Sequence, residues 1–310
     1  MAPVLEPAMT SLAERIQQGD LRALARAATA VENRRPEALA LMQELFPLTG
    51  RATLIGVTGA PGAGKSTLVD QLARVARAEG RSVGIVAVDP TSPFSGGAIL
   101  GDRIRMQAHH ADPGVFIRSM ATRGSLGGLA AATTDLALLL DAAGRDTILV
   151  ETVGVGQDEV DIARLADVTL VMLVPGMGDD VQAIKAGIME IADVFVINKA
   201  DRPGADSLER ELQAMLGIMP PRDGWRPPIV RVVATEGKGA EEVLAAARRY
   251  QEAAGKRTRR AGLWAARLRE MFRERLLERL PPAELEAAAE DVAARRKDPY
   301  SVINEWMERI

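Results

Sequence analysis

The run Gly59-Ala60-Pro61-Gly62-Ala63-Gly64-Lys65-Ser66 places glycines, a lysine and a hydroxyl at the spacing G-x-x-x-x-G-K-[ST], and that spacing handles phosphate. Glycines let backbone N–H groups turn inward onto phosphate oxygens, Lys65 carries a cation to the β and γ phosphates, and the Ser66 hydroxyl offers a hard oxygen to Mg²⁺. Thr67 joins these expected nucleotide contacts in the first turn of the following helix, whose N-terminus adds a positive field. The flanks are those the chemistry needs. Thr53 to Val57 reads as a short buried strand, and Leu68, Leu72 and Val75 put an apolar stripe on a helix. A purely structural glycine turn is the plainer alternative, and the strand and helix on its two sides argue against it.

A second constellation selects the base. Asn198-Lys199-Ala200-Asp201 follows the apolar run Val194 to Ile197 and so lies at the C-terminal edge of a strand, where open α/β sheets bind ligands. It matches N-K-x-D. The Asp201 carboxylate accepts from guanine N1–H and the exocyclic amine, whereas adenine leaves that acceptor unpaired, a discrimination of ~10⁴ or more. Asn198 is expected to tie the loop together and the Lys199 stem to pack over the base. After the last strand, the N–H of Ala234 is placed for guanine O6, although Val233 stands where serine is common.

Carboxylates at further strand ends suit a hydrated Mg²⁺, which prefers oxygen ligands. Asp89 ends the second strand; Asp102 opens a helix after a glycine-rich stretch, where an ordinary first-turn acid is the alternative reading. Glu151-Thr152-Val153-Gly154 has the layout of the D-x-x-G switch with glutamate for aspartate, so Glu151 is expected near the metal through a water and the Gly154 N–H at the γ-phosphate. The next position holds Val155, not a glutamine that orients water. Slow hydrolysis by the isolated protein is expected, with the missing group supplied by a partner or by Gln157, Asp179, Asp180 or Lys185. Arg118 to Gly124 also invites a functional reading, ranked below these loops.

The elements that must position these residues follow from periodicity. Thr10 to Phe46 shows helical spacing broken near Gly19-Asp20 and Arg35-Pro36; from Arg51 to about Tyr250, apolar strand-like runs at 83–88, 147–150, 168–174, 194–197 and 229–233 alternate with helical ones. The alternation predicts an α/β fold, a mostly parallel sheet with helices on both faces, plus helical N- and C-terminal extensions: 1–50 an arm, 51–250 the P-loop domain, 251–310 a helical C-terminal region. Beyond Gly255, Trp264, Leu268, Met271, Phe272, Leu276 and Leu280 form an apolar stripe, and Val302, Ile303, Trp306 and Met307 another. Periodicity does not separate folding back on the core from a contact with a second copy.

Composition narrows the partners. A net charge of −3 argues against nucleic acid, and the absence of cysteine removes disulfides and thiolate metal sites and is compatible with a cytoplasmic location. No signal segment or long apolar run points to secretion or a membrane.

The residues V-D-P-T-S-P-F-S-G-G-A-I-L-G-D-R-I-R-M from Val88, S-M-A-T-R-G-S-L-G-G-L from Ser119 and E-T-V-G-V-G-Q from Glu151 closely resemble the MeaB/ArgK family of P-loop GTPases, over almost the whole chain. The resemblance implies a G-protein chaperone of adenosylcobalamin-dependent methylmalonyl-CoA mutase or a relative, with GTP and GDP as substrate and product, Mg²⁺ as cofactor and a C-terminal homodimer contact. By position it implies Lys65, Ser66, Asp89, Asp102 and Glu151 for magnesium and phosphate, Asn198 and Asp201 for the base, and a further switch around 179–185. Three rivals remain. A nickel-delivering GTPase shares the fold, but its histidine ligands would have to be His109-His110, a pair more often at a solvated helix end. A nucleotide-switched scaffold without turnover is kept alive by Val155, and an ATP-using kinase is opposed by N-K-A-D.

Overall fold

The computed structural model describes residues 10–89, 109, 111–121, 128–152, 158–176, 186–254 and 256–309. Asp102, Gly154, Val155, Gln157, Asp179, Asp180 and Lys185 lie outside these residues, as does the end of the Arg118 to Gly124 stretch. By contacts along the chain the protein divides into two units, Met1–Lys256 and Arg257–Ile310.

The first unit opens with three helices whose ends are written locally. Ser11 forms a capping box with Glu14 at the start of α1 (Leu12–Gln17). Asp20 Oδ1 accepts from the N–H groups of Arg22 and Ala23 at 2.9 and 3.0 Å and starts α2 (Leu21–Glu32). Pro36 occupies the first turn of α3 (Pro36–Leu45), where its missing N–H costs nothing. Both breaks expected from the sequence are therefore helix starts. The chain then reaches the sheet through residues 50–52, whose three backbone N–H groups all donate to the buried Asp141 carboxylate at 2.5 to 3.1 Å.

Among the described residues seven parallel strands follow: β1 (Thr53–Gly59), β2 (Val83–Asp89), β3 (Val115–Ala121), β4 (Thr147–Glu151), β5 (Val168–Leu173), β6 (Val194–Asn198) and β7 (Ile229–Val232), in the order β3-β2-β4-β1-β5-β6-β7. The helices between them are α4 (Lys65–Ala78), α5 (Gly128–Ala142), α6 (Asp158–Leu165), α7 (Ala186–Ile191), α8 (Ala205–Ile218) and α9 (Ala240–Ala254). β4 and β6 are buried along their whole length and β5 along all but its last residue, and most of their side chains are apolar, as burial on both faces requires. The parallel sheet expected from the alternation is present, with one addition. The sequence reading left out β3, an edge strand in which Arg118 and Ser119 interrupt the apolar run; Arg118 is strand, and its guanidinium pairs with Glu32 of α2.

Two clusters cover the two sheet faces. Leu68, Leu72 and Ala76 of α4 and Val243, Leu244 and Ala247 of α9 pack with Val57, Ile85, Leu149 and Leu170. On the other face, Leu136, Leu139 and Leu140 of α5 join Val86, Ile148 and Val150, and Leu24, Ala28 and Val31 of the N-terminal helices belong to the same cluster. The arm is thus part of the core, each buried Leu or Val contributing about 1.5–3 kcal/mol. A third cluster sets Leu208 and Leu212 of α8 against Phe195 and Ile197.

The second unit is helical. α10 (Lys256–Glu278) takes in the basic run as its first turns, and α11 (Pro282–Ala293) and α12 (Pro299–Arg309) follow. Within this unit Asp298 Oδ1 caps α12 by accepting from Tyr300 and Ser301 N–H, and Trp306 Nε1 donates to Glu284 at 3.1 Å. Leu268, Phe272, Tyr300, Ile303 and Met307 remain largely exposed. No helix among the described residues is long and apolar enough to cross a membrane.

Candidate functional site

The loop between β1 and α4 is built by backbone conformations that side chains resist. Gly59 has φ +142°, and a Cβ there would fall 2.4 Å from Met172 O on β5. Gly64, the residue before α4, has φ +92°, and a Cβ there would fall 2.4 Å from Asn198 Nδ2. Ala63 N–H closes the turn onto Ala60 O at 3.1 Å. The loop sits at the carboxyl end of the sheet, beside the point where the strand order reverses across β1, the place open α/β sheets offer to a ligand.

The neighbours expected from the sequence converge on it. Ser66 Oγ donates to Glu151 Oε1 at 2.7 Å, and both residues are buried. Glu151 ends β4 in register with Val57 of β1, so parallel pairing carries its carboxylate to the start of the loop. Asp89 ends β2, two positions beyond Ala87, which pairs with Glu151. The Ser66 hydroxyl and the Glu151 carboxylate are hard oxygen donors of the kind that suits Mg²⁺ rather than a soft metal. Lys65 Nζ donates to Gly59 O and Ala60 O at 2.9 and 3.1 Å, so the cation is held by the loop it serves.

The base side is joined to the phosphate side by one amide. Asn198 Nδ2 donates to Ala63 O at 2.7 Å, while its Oδ1 accepts the N–H of Ala234 at 3.1 Å. Lys199, at φ +55°, donates from Nζ to Gly62 O at 3.0 Å, which lays its stem across the gap. Asp201 is exposed at the end of the same turn. Val233, where serine was expected, closes the loop through backbone bonds with Lys238. Asn198, Lys199 and Ala234 are therefore linked to the 59–66 loop, as are Ser66 and Glu151, while Asp201 follows Lys199 in the same turn and Thr67 follows Ser66 in α4.

One expectation is corrected. His109 is not at a solvated helix end; it is 6% exposed, with Nε2 2.9 Å from Asp70 Oδ1 on α4. Among the described residues no cluster of three or more metal-ligating side chains is present. The Asp70–His109 contact could not be read from the sequence, since the two residues lie far apart in the chain and meet only once it is folded.

Comparison with known proteins agrees with this arrangement. The family model described as methylmalonyl Co-A mutase-associated GTPase MeaB matches residues 24–285. A Pyrococcus abyssi protein named as a GTPase is 58% identical over 244 residues, 78% of this chain and 75% of that one. The Caenorhabditis elegans methylmalonic aciduria type A homolog, mitochondrial, is 34% identical over 269 residues, 81% of this chain and 67% of that one. A solved structure described as LAO/AO transport system kinase superimposes with a TM-score of 0.75 at 29% identity, covering 99% of both chains. The phosphate loop, the seven-stranded parallel sheet and the extent of the family match lead to one assignment: the chain belongs to the MeaB family of P-loop GTPases.

Proposed function

We propose that this GTPase is a cytoplasmic, homodimeric chaperone of adenosylcobalamin-dependent methylmalonyl-CoA mutase or a close relative, coupling GTP binding and hydrolysis to cofactor loading and protection. The guanine-nucleotide half rests on Asn198, whose single amide spans the phosphate loop and the Ala234 loop. The mutase half rests on the family match and on the name of the nematode relative. The homodimer is supported by the exposed Leu268, Phe272, Ile303 and Met307 of the C-terminal unit.

In this reading residues 59–67 wrap the phosphates, Lys65 turns from the Gly59 and Ala60 carbonyls to the β and γ oxygens, and Asp201 selects guanine. Ser66, Asp89, Asp102 and Glu151 hold Mg²⁺, which neutralises charge that develops on the phosphates. Gly154 contacts the γ-phosphate. Glu151 fixes the Ser66 hydroxyl at 2.7 Å and so orients an oxygen the metal needs. With valine at 155, water is positioned by a partner or by residues 157, 179, 180 or 185, so turnover alone is slow.

The test is GTP hydrolysis by the purified protein, alone and with the mutase of the same organism, with ATP as control. Slow hydrolysis that rises at least about tenfold with the mutase supports the chaperone reading, a gain within reach of one added catalytic group. Unchanged turnover despite tight GTP binding and a formed complex overturns it.

A further inference from the structure

We propose that Thr58 and Thr152 are positioning residues for the magnesium site: their buried hydroxyl pair holds the exit of β4 so that the Glu151 carboxylate is presented to Ser66. The inference rests on the magnesium reading above.

Parallel pairing carries β4 alongside β1 as far as Val57 and Glu151. Past that register β1 goes on along β5, Thr58 beside Val171 and Gly59 beside Met172. Where β4 leaves the sheet, Thr152 N–H still donates to Val57 O at 3.1 Å. One step further the contact passes to side chains: Thr152 Oγ1 donates to Thr58 Oγ1 at 3.1 Å. Thr58 is fully buried and Thr152 is 4% exposed.

Successive side chains of a strand point to opposite faces of the sheet. Ile55 and Val57 of β1 and Leu149 of β4 pack in the cluster that holds α4, so Glu151 continues the α4 face, where its carboxylate meets Ser66 Oγ at 2.7 Å. Ile148 and Val150 belong to the opposite cluster, with Leu54 packed against it, and a Cβ on Gly56 would fall 2.5 Å from Ile162 of α6 on that side. Thr58 and Thr152 continue this second face. The end of β4 is therefore held from both faces at once, and the two holding residues flank the phosphate loop: Thr58 directly precedes Gly59, and Ser66 ends the 59–66 run. That juxtaposition carries the inference. A buried hydroxyl pair adds little to stability beyond what two apolar side chains of the same shape would supply, because each hydroxyl gave up water to make the bond. What the bond has and a methyl contact lacks is a set length and direction. A shift of the β4 exit that a valine pair would tolerate pulls the hydroxyls apart, and the same shift draws the Glu151 carboxylate away from Ser66. Thr58 and Thr152 thus act through Glu151, as outer partners that orient a group the metal needs.

The test uses the whole chain, with N-methylanthraniloyl-GDP dissociation followed by fluorescence in Mg²⁺ and in EDTA, and urea unfolding without nucleotide. In the native protein Mg²⁺ is expected to slow dissociation. Thr152→Val alone leaves the Thr58 hydroxyl buried without its counterpart and is expected to lower the unfolding midpoint; adding Thr58→Val removes both polar groups and is expected to recover most of that loss. The double variant is nevertheless expected to lose about tenfold of the slowing by Mg²⁺, the lower end of what displaced outer-sphere partners cost a metal site, with the EDTA rate within about twofold of native. Thr152→Ser, which keeps the hydroxyl, is expected to keep the slowing. A double variant with the native Mg²⁺ effect overturns the proposal, as does an equal rise of both rates, which marks a merely structural role. A Thr152→Ser protein as impaired as the double variant overturns it too. Should the valine variants fail to fold, the contrast between Ser and Ala at 152 decides. A native protein insensitive to Mg²⁺ would instead remove the magnesium reading, and the proposal with it.

Discussion

Ser66 and Glu151, both buried, are joined directly, hydroxyl to carboxylate, at 2.7 Å. The bond crosses from the first turn of α4 to the last residue of β4, so the helix that follows the phosphate loop is tied to the strand that precedes the switch motif. In a strand-end position an aspartate would stop one methylene short. The longer glutamate therefore reaches a residue of the loop itself, and any movement of one element is felt at the other.

That bond predicts a separable defect. Glu151→Gln keeps the size and can still accept from Ser66, but removes the charge that favours a divalent cation. We expect Mg²⁺ affinity in GTP hydrolysis to fall about 10- to 100-fold. Ser66→Ala should produce a loss at least as large. Magnesium titrations of the hydrolysis rate measure both, and a Glu151→Gln protein with native Mg²⁺ dependence would remove Glu151 from the metal's surroundings.

Asn198 predicts a loss shared between stability and binding. In Asn198→Ala the Ala63 carbonyl and the Ala234 N–H both lose their partner in a buried setting. Each unsatisfied group costs about 1–3 kcal/mol. Denaturant unfolding without nucleotide should show a lowered midpoint, and GTP affinity should fall further than the stability change alone accounts for.

Asp201→Ala is expected to act on selectivity alone, because the residue is exposed and lies outside the core. The preference for GTP over ATP should collapse by about 10²-fold or more, with thermal stability unchanged. Competition binding with the two nucleotides reads this directly. A preserved preference would mean that guanine is recognised elsewhere.

Gly64→Ala tests the loop backbone. The position combines φ +92° with a Cβ site 2.4 Å from Asn198 Nδ2, so the substitution adds left-handed strain of about 1–2 kcal/mol and displaces the bridging amide. Nucleotide binding should be lost before the fold is. Calorimetry that finds native affinity would show that the loop tolerates a side chain there.

What the sequence made legible was what local chemistry decides. The loop at 59–66 and the turn at 198–201 were readable because glycines and an αL-tolerant turn follow strands whose apolar runs are unmistakable. The breaks near Asp20 and Pro36 were readable from the interrupted helical spacing, and the structure turns both into helix starts. β3 was hidden because an edge strand needs only one buried face, and the Arg118 that breaks its pattern is answered by Glu32, 86 positions away. The same limit hid His109: a histidine beside another histidine gives no hint of burial, and its partner Asp70 reads as one more charge on an amphipathic helix. Asp141, which gathers three N–H groups from residues 50–52, escaped the sequence reading for the same reason.

The ion pair between Arg77 of α4 and Asp112, with Nε 2.7 Å from Oδ2, makes a prediction in pH. The Arg77 guanidinium, with help from the Gly114 N–H, holds the Asp112 carboxyl below its usual range. A carboxyl with a depressed folded value stabilises the protein above its unfolded value of about 3.9, and that stabilisation is lost as pH falls through the folded value. Arg77→Met removes the main cause. The stability difference between native protein and Arg77→Met should therefore be flat from about pH 7 to 5, at about 1 kcal/mol for a partly exposed pair, and shrink below about pH 4. Urea unfolding across that range measures it. A difference that persists undiminished at the acid end would show that Arg77 acts through its packing against Gly114 rather than through its charge.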